Sequence, residues 1–500
     1  MELEEVFERT GAAVYCLQSD DSSDSINQAI DILLEIPPTP VPETGENCDE
    51  NCDKNYAYAE SLPDPSSKKL SSKKRKSPTN TTTSSTADPF LHPSIVLSYA
   101  YLSLHLLQPS VTPLSLSLNS WPSNPSSLLL HASNLRSISS LLPSFLAYKK
   151  ASQTSTSLLP LPQLEFVDLI SVEDVINVRS KSTYMACLLG SLLGRHEEVE
   201  EMLKGFKVDF RIAPELWRLK AEETNVIVEG STKNPIEIRD FLPQNYFSRL
   251  RDIFNPDAAF WEETDYSSGR YYSYYIPVKD KSDNFFDQLL KYMHSSLGKY
   301  YDLQNVKGYE IWAHTRMGGN SLGHWLHYDT DEWGVDNRKI VRHPKVSAVF
   351  YLEGEGGETV VFDEGRGWKV GTEANKFFAF EGDKLHGVLP CGGEGRRTTF
   401  MVGFWEVEKE GGGRGKGGKD GPWSDLPRAG RRSNWIREIE EVEEEEVREV
   451  VAKEPKSVEE AFEKLEDCKG DVEIPKDIDQ RFFFPGEGLE YFQKNLFEAD

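Results

Sequence analysis

The run Val346-Ser-Ala-Val-Phe-Tyr-Leu352 is followed, after the glycine-rich Gly354-Glu-Gly-Gly357, by a second run, Glu358-Thr-Val-Val-Phe362. Short runs rich in β-branched and aromatic residues, separated by glycine turns, are typical of an antiparallel sandwich or barrel. Further runs of this kind lie at Tyr309–Thr315, Phe377–Phe380 and Arg397–Trp405. The sequence therefore predicts an antiparallel β core within residues 234–406.

Helical patterns precede and interrupt this core. Within it, Asn234–Pro243 predicts a strand leading into a helix at Tyr246–Phe254, Tyr271–Val278 adds a β-rich run, and Asp283–Leu297 predicts a second helix. Residues 88–225 carry apolar residues at three- and four-residue steps, which predicts an all-α region. Its helical segments are Ser94–Leu107, Ser127–Leu146 and a hairpin over Thr183–Phe206 that turns near Gly194.

The remaining segments differ from the core in composition. Residues 1–87 are mostly rich in Pro, Ser, Thr, Asn and Lys, which predicts a disordered arm. Residues 407–432 form a Gly-rich, basic linker. Residues 433–500 predict an acidic helical tail, with one helix at Ile436–Val451 and a capping box at Ser457-Val-Glu-Glu460 that opens another. The expected fold class is α+β multidomain with disordered linkers.

The composition of the 500 residues excludes several classes of protein. A formal net charge of −26 argues against a whole-chain nucleic-acid binder, so we expect no direct nucleic-acid binding. Six cysteines in a chain of this length do not make a disulfide scaffold, and reduced thiols are the simpler interpretation. Hydrophobic residues are 38% of the chain, low enough to indicate that some segments do not pack.

The N-terminal residues carry the information on localisation. Met1-Glu-Leu-Glu-Glu-Val-Phe7 is acidic and is typical neither of a secretory signal nor of a transit peptide. No run of about 18 apolar residues predicts a membrane span. The basic stretch at residues 68–76 has two interpretations, a solvated linker or a nuclear-import signal. We expect a nuclear or cytoplasmic protein that is not secreted.

One pattern among the ten histidines suits a metal ion. In His327-Tyr-Asp329 the imidazole and the carboxylate share one face if the segment is a strand, and His386 follows 57 residues later. Two imidazoles and one carboxylate suit Fe(II) and leave positions open. The rival His196-Glu-Glu198 lies in a helical run, where residues two apart diverge. For His314, His324 and His343 a core role is the simpler interpretation, although His324 could support the metal site.

Residues 234–406 resemble the 2-oxoglutarate- and Fe(II)-dependent dioxygenases, especially the prolyl 4-hydroxylase-like branch. Four features carry this resemblance in order: His327-Tyr-Asp329 after the glycine-rich residues 317–323, the run Val346–Leu352, the turn Gly356-Gly-Glu-Thr359, and His386 with Gly395-Arg-Arg-Thr-Thr399 after it. The resemblance implies a double-stranded β-helix, or jelly roll, and Fe(II), 2-oxoglutarate and ascorbate as cofactor, cosubstrate and reductant.

The resemblance also implies roles for individual residues. His327, Asp329 and His386 are the expected metal ligands and catalytic centre. In the family, a basic residue about ten positions after the second histidine pairs with the far carboxylate of 2-oxoglutarate. Arg396 and Arg397 are both candidates for this role. Arg397 is favoured because Thr399 lies on the same strand face. Trp312 and His314 stand where relatives often carry a tyrosine that contacts the cosubstrate. Residues 330–345 are expected to form a loop over the site.

The function expected from the resemblance is hydroxylation of a C–H bond with O2 and 2-oxoglutarate. The substrate is open, and a protein or peptide substrate containing proline is the leading analogy, although a fold does not fix a substrate. The alternative from another class is a catalytically silent β-barrel that serves as an interaction scaffold. Anaerobic addition of Fe(II) and 2-oxoglutarate separates the two, since a scaffold gives neither a visible charge-transfer band nor succinate.

Overall fold

A computed structural model describes the parts of the chain that the sequence analysis assigns to the core, and segments on either side of it. The described residues are 141–153, 178–221, 224–226, 233–264, 272–317, 323–391, 395–410, 423–426, 443, 447–466, 470, 482–486 and 488–494. All of them belong to one compact unit formed by Ser123–Leu159 and Leu169–Asp500. The predicted arm over residues 1–87, its basic stretch and the Ser94–Leu107 helix lie outside the described residues.

Helices occur before, within and after the β core. They are α1 (Leu141–Gln153), α2 (Val178–Leu192), α3 (His196–Leu203), α4 (Pro214–Arg218), α5 (Gln244–Phe254), α6 (Ala259–Thr264), α7 (Phe285–Leu297), α8 (Glu332–Arg338) and α9 (Leu489–Lys494). The predicted hairpin is confirmed, because α2 and α3 are joined by a turn in which Gly194 has a φ of +73°. None of the helices in these described segments has the length and apolar character that a membrane span requires.

The strands form three sheets in the described residues. They are β1 (Phe210–Ile212), β2 (Thr224–Val226), β3 (Ile236–Ile238), β4 (Tyr274–Pro277), β5 (Gly308–Met317), β6 (His324–His327), β7 (Val346–Tyr351), β8 (Thr359–Asp363), β9 (Arg366–Val370), β10 (Lys376–Glu381), β11 (Leu385–Val388), β12 (Arg396–Trp405), β13 (Lys453–Pro455), β14 (Ser457–Val458), β15 (Phe462–Lys464) and β16 (Phe483–Phe484). Every pairing between these strands is antiparallel. The α+β class is confirmed.

Two of the three sheets pack against each other. The eight-stranded sheet has the order β2-β13-β3-β10-β7-β12-β5-β4, and the five-stranded sheet has the order β14-β9-β8-β11-β6. One buried cluster joins them, because Tyr351, Phe380 and Met401 of the larger sheet pack with Val361 and Val370 of the smaller. The interior between the two sheets is therefore a shared hydrophobic core.

Helices α5 and α7 cover the other face of the eight-stranded sheet. Asn284 starts α7 by accepting a hydrogen bond from the Asp287 backbone N–H, which satisfies one of the free donors at the helix N-terminus. The buried face of α7 includes Phe286, whose ring stacks on Phe400 of β12 at a centroid distance of 6.0 Å. Burial of such aromatic side chains, each worth about 1.5–3 kcal/mol, fixes the larger sheet in place.

The prediction of a second helix in the C-terminal tail is wrong at Ser457. Ser457 and Val458 form β14 and pair with Trp368 and Gly367 at the edge of the five-stranded sheet. The Ser457 hydroxyl accepts a hydrogen bond from Arg366 Nε at 2.8 Å instead of capping a helix. The edge strand β9 offers unpaired backbone N–H and C=O groups to this segment. Pairing with β9 outweighs the local capping pattern, so the segment forms a strand and not a helix.

Three other expectations need correction in the described residues. The expected helix over Ile436–Val451 is absent from residues 447–451, and β13 follows and joins the larger sheet. The 88–225 region is not all-α, since its strand β1 pairs with β15 and β16 from the C-terminal segment. Part of the expected 407–432 linker is packed, because the buried Trp423 ring lies 5.1 Å from that of Tyr275.

Candidate metal centre

The register of β6 and β11 brings His327 and His386 together. The two residues are direct partners in this antiparallel pair, and their ring centroids lie 4.3 Å apart. Asp329 follows two residues after His327, and its Oδ1 lies 3.8 Å from His327 Nε2 and 3.5 Å from His386 Nε2. The ligand atoms of all three side chains lie within 4.8 Å of one another, so the structure assembles the predicted triad around one point.

Backbone carbonyls orient both imidazoles. His327 Nδ1 donates to the Trp325 carbonyl at 2.9 Å, and His386 Nδ1 donates to the Lys384 carbonyl at 3.1 Å. When the proton is held on Nδ1, a neutral ring presents its Nε2 lone pair to the cluster. This fixing of the tautomer by a hydrogen bond from the other ring nitrogen is a common feature of metal-binding histidines.

Asp329 is held from two sides. The Ser347 hydroxyl on β7 donates to Oδ2 at 2.6 Å, and His343 Nδ1 donates to the Asp329 backbone carbonyl at 2.8 Å. The Ser347 bond leaves Oδ1 facing the two histidines. His343 therefore has a structural hydrogen bond, but it is half-buried and does not belong to the core, where the sequence analysis expects it.

The electrostatics of the cluster suit a cation. Burial, reinforced by the neighbouring His386, lowers the pKa of His327 to about 4, so its ring is neutral at pH 7. Burial opposes ionisation of Asp329, but the interactions with His386, His327 and Ser347 outweigh it and hold its pKa below the usual range. Asp329 in turn raises the pKa of His386 against the effect of burial. Two imidazole nitrogens and one carboxylate oxygen are a donor set that fits Fe(II).

Arg397 lies on the interior face of β12. Its Nη2 donates to Thr359 Oγ1 at 3.1 Å, its Nη1 donates to Thr399 Oγ1 at 3.3 Å, and its guanidinium lies over the Tyr351 ring at 5.4 Å. Its Nε is buried and has no hydrogen-bond partner in the described parts of the chain. A buried donor without a partner costs about 1–3 kcal/mol, and a carboxylate is the group that would satisfy it.

Arg396 lies on the opposite face of the same strand. Successive side chains alternate along β12, so Arg397 and Thr399 share one face while Arg396 and Thr398 share the other. Thr398 donates to Glu353 Oε2 at 2.7 Å, which marks that second face as a different environment. From the sequence, both arginines are candidates for binding the cosubstrate. The buried Nε without a partner belongs to Arg397, on the interior face of β12, and this favours Arg397.

Arg397 and the triad border the same interior. Tyr351, under the guanidinium, belongs to the buried cluster that contains Phe380, and the Phe380 ring lies 4.9 Å from the His386 ring. His314 on β5 pairs with Thr399. Burial lowers the pKa of His314 to about 3, and both Arg397 and His327 are among the charges that contribute. His314 is therefore a direct cross-strand neighbour of Thr399 on the Arg397 face of β12, and its ring lies 5.9 Å from that of His324.

His324 extends the array of histidines. Its ring lies 4.7 Å from that of His327 and 5.9 Å from that of His314, and its Nδ1 accepts a hydrogen bond from Arg316 Nη2 at 3.3 Å. Burial lowers its pKa well below the usual value. The supporting role that the sequence allowed for His324 agrees with this contact.

Sequence reasoning missed three side chains of the site. The sequence pattern places Ser347 and Tyr351 only in a strand, and Thr359 only in the turn after Gly356 and the run that follows. Ser347 and Tyr351 are nevertheless four residues apart and share the interior face of β7. A polar residue at an inward position of an otherwise apolar strand was the available signal. Residues 330–345 were expected to form a loop, but they contain α8, which Asp331 caps by accepting from the Gly334 backbone N–H at 2.9 Å.

Comparisons with known proteins give a partial likeness. No protein-family model matches the chain, and no curated protein matches its sequence. A Pseudomonas putida prolyl-4-hydroxylase structure is 20% identical, covers 35% of this chain and 95% of its own, and has a TM-score of 0.25. A Trichoplax adhaerens prolyl hydroxylase, solved with a hypoxia inducible factor oxygen degradation domain peptide fragment, is 14% identical, with coverages of 35% and 84% and a TM-score of 0.25.

A third similar structure is a prolyl 4-hydroxylase from Phytophthora capsici. It is 18% identical, covers 34% of this chain and 58% of its own, and has a TM-score of 0.24. Scores and identities this low do not decide what this chain does. A function must therefore be inferred from the residues of the metal centre and from Arg397 and its neighbours.

Proposed function

We propose that this chain is a 2-oxoglutarate- and Fe(II)-dependent dioxygenase with a double-stranded β-helix core. The observation that carries the proposal is the meeting of His327 Nε2, Asp329 Oδ1 and His386 Nε2 within 4.8 Å on the interior of the two sheets. A closed structural zinc site would want a fourth ligand, commonly cysteine, and within the described parts of the chain the cluster has three ligands and no thiolate.

Each part of the site has its own task in this proposal. His327, Asp329 and His386 hold the iron, and Arg397 binds the distal carboxylate of 2-oxoglutarate through its unsatisfied Nε, with Thr399 and Thr359 fixing the guanidinium. When bound, iron and 2-oxoglutarate supply the oxidation that inserts oxygen from O2 into a C–H bond, with release of succinate and CO2, and ascorbate serves as the reductant. The protein contributes placement and exclusion of water.

We propose a protein or peptide substrate, with peptidyl proline as the first to test. The resemblance of the Gly356-Gly-Glu-Thr359 turn to the prolyl 4-hydroxylase-like branch supports this choice. The scaffold alternative is disfavoured by the unsatisfied Arg397 donor, because a buried donor without a partner costs stability unless a ligand satisfies it.

The deciding experiment measures the binding of metal and cosubstrate separately from turnover. Anaerobic Fe(II) and 2-oxoglutarate should produce a weak visible charge-transfer band in the wild-type chain, and succinate should be released in air over a panel of proline-containing peptides. His327→Ala should abolish both signals, whereas His294→Gln, at a half-buried histidine bonded to Tyr309 and not to the triad, should keep them. A wild-type chain with neither band nor succinate would leave the scaffold interpretation.

The localisation is proposed as nuclear on the basic stretch at residues 68–76. Residues 60–90 fused to a reporter should concentrate it in nuclei, and Lys74→Ala with Arg75→Ala should release it. A diffuse reporter that does not respond to the substitutions would contradict the proposal.

A further inference from the structure

His386 is oriented from the turn that joins β10 to β11. Its Nδ1 lies 3.1 Å from the carbonyl oxygen of Lys384, the residue that immediately precedes β11. We call residues 382–384 the β10–β11 turn. The direction in which His386 presents Nε2 to a metal ion therefore depends on where this turn holds one backbone carbonyl.

The ammonium group of Lys384 lies among three carboxylates around this turn. Its Nζ is 2.9 Å from Asp363 Oδ2, 3.3 Å from Glu381 Oε2 and 3.7 Å from Asp383 Oδ1, and its side chain is 12% exposed. Charges that are shielded from water in this way interact more strongly than fully exposed ones, because they are screened less. The three acids therefore restrain the lysine and, with it, the turn.

The contact with Asp363 ties the turn to a second strand. Leu385 of β11 pairs with Phe362 of β8, and Lys384 and Asp363 are the next residues along these two segments. They form a cross-strand pair of opposite charge at the end of the ladder. Strand β8 is paired on its other side with β9, so Asp363 is a well-anchored partner for the lysine.

The same turn contacts the segment that restrains Asp329. The Gly382 backbone N–H donates to the Lys345 carbonyl at 3.4 Å, and a Cβ on Gly382 would lie 2.2 Å from the Pro344 carbonyl oxygen. Lys345 and Pro344 lie between the two side chains that bond Asp329. The supports of His386 and of Asp329 therefore meet at the β10–β11 turn.

We propose that Lys384 is a positioning residue of the metal centre, which holds the β10–β11 turn through its ion pair with Asp363 and thereby orients His386. The proposal rests on the proposed metal centre and adds a charged support outside the set of ligands. Without the ammonium group, the three carboxylates repel one another and the turn samples more orientations. His386 Nε2 then loses part of its preorganisation toward the ion.

The test measures affinity for Co(II), the metal alone, by its visible absorption in the full chain. Lys384→Met keeps most of the side-chain volume and removes the charge. It should weaken Co(II) binding about tenfold, the lower end of the range for partners that orient a ligand. The visible bands of the saturated variant should also change in shape, because they report the geometry of the ligands.

Lys279→Met is the matched control. The Lys279 Nζ lies 2.9 Å from Asp287 Oδ2 and 3.0 Å from Asp283 Oδ2, so this lysine is also held by carboxylates. It precedes α7, which covers the face of the eight-stranded sheet away from the metal centre. Lys279→Met should therefore keep the Co(II) affinity and the visible bands of the wild type, although it also loses an ion pair.

Asp363→Ala tests the anchor and serves as a second variant if Lys384→Met does not fold. Lys384 still has Glu381 beside it in this variant, so the turn loses only its tie to β8. Co(II) binding should weaken about threefold, the value of a partly exposed ion pair. The double variant should bind no more weakly than Lys384→Met alone, because Asp363 acts through the lysine. Urea unfolding of each metal-free variant verifies that the titrated protein is folded.

The outcomes separate this inference from the proposed function. If the wild-type chain binds no Co(II), the proposed metal centre is wrong and the inference fails with it. If the wild type binds Co(II), and Lys384→Met and Asp363→Ala bind it equally well, the metal centre stands and the positioning role is refuted. Equal losses of affinity in Lys384→Met and Lys279→Met would also refute it, because the effect would then follow from stability and not from the turn.

Discussion

His327 and His386 lie directly opposite each other on two antiparallel strands, with ring centroids 4.3 Å apart. Side chains alternate between the faces of a strand, so a shift of one residue in either strand would move its histidine to the outer face. Metal binding at this pair therefore reports the register of the five-stranded sheet as well as the identity of the ligands.

Ser347→Ala should weaken metal binding while leaving the fold intact. The hydroxyl orients Asp329 by donating to Oδ2 at 2.6 Å, and partners of this kind are typically worth about 10–100-fold in metal affinity. Titration with Co(II) measures the effect. Ser296→Ala is a matched control, because Ser296 is also buried and donates to the Tyr292 carbonyl, away from the metal centre. Equal affinity of both variants and the wild type would contradict the role of Ser347.

Arg397→Lys should raise the KM for 2-oxoglutarate about 10–100-fold, because a lysine cannot reproduce the fork of the guanidinium. Arg396→Lys should change the KM less than about twofold, since that side chain lies on the other face of β12. Initial rates of succinate release against 2-oxoglutarate concentration test both variants. The reverse ranking would assign the cosubstrate to Arg396.

Acid should destabilise the metal-free protein through its buried histidines. Among the described residues, burial lowers the pKa of five histidines, His196, His294, His314, His324 and His327, whereas His386 is the one whose pKa is raised. A histidine with a lowered folded-state pKa stabilises the fold above pH about 6.5, and this contribution is lost as the pH falls, because the unfolded chain takes up the proton first.

His314→Gln isolates one of these groups. The pKa of His314 is about 3 in the fold, so it contributes a slope of up to about 1.4 kcal/mol per pH unit from pH about 6.5 downward. Urea unfolding at pH 7, 6 and 5 should give a shallower loss of stability for His314→Gln than for the wild type. Parallel pH profiles would show that His314 is not held neutral.

The sequence predicts an element correctly where its local pattern and its tertiary environment favour the same structure. The strands at Val346–Tyr351 and Arg396–Trp405, the helix at Phe285–Leu297 and the turn at Gly194 all lie where alternation, helical spacing or a glycine predicted them. The three expected metal ligands also meet, because β6 and β11 pair His327 with His386, and Asp329 follows two residues after His327. The choice between Arg396 and Arg397 needed the environment of each face.

The C-terminal segment shows why the remainder could not be predicted. Ser457-Val-Glu-Glu460 has the local signature of a helix start, yet the edge of β9 offers backbone partners, and the segment becomes a strand. Phe483 and Phe484 likewise form β16 only because β1, more than 270 residues earlier, pairs with them. Long-range pairings of this kind leave no periodic trace in the segment itself.

Gly323→Ala should damage the metal centre through the backbone. Gly323 has a φ of +88°, and a Cβ at this position would lie 2.0 Å from the Val388 carbonyl oxygen. Val388 pairs with His324 at the start of β6, so relief of the clash must separate the two strands that carry His327 and His386. Gly194→Ala is the matched control, because Gly194 has a φ of +73° but nothing within 4 Å of the added Cβ.

The two alanine substitutions separate backbone strain from the clash between strands. Gly194→Ala should cost only the strain of a left-handed alanine, about 1 kcal/mol of unfolding free energy, with Co(II) affinity unchanged. Gly323→Ala should cost about 3 kcal/mol or more and should also weaken Co(II) binding, since strain and clash add at the edge of the site. Equal losses of stability in the two variants, with Co(II) affinity intact in both, would show that the approach of Gly323 to β11 does not hold the ligand strands in register.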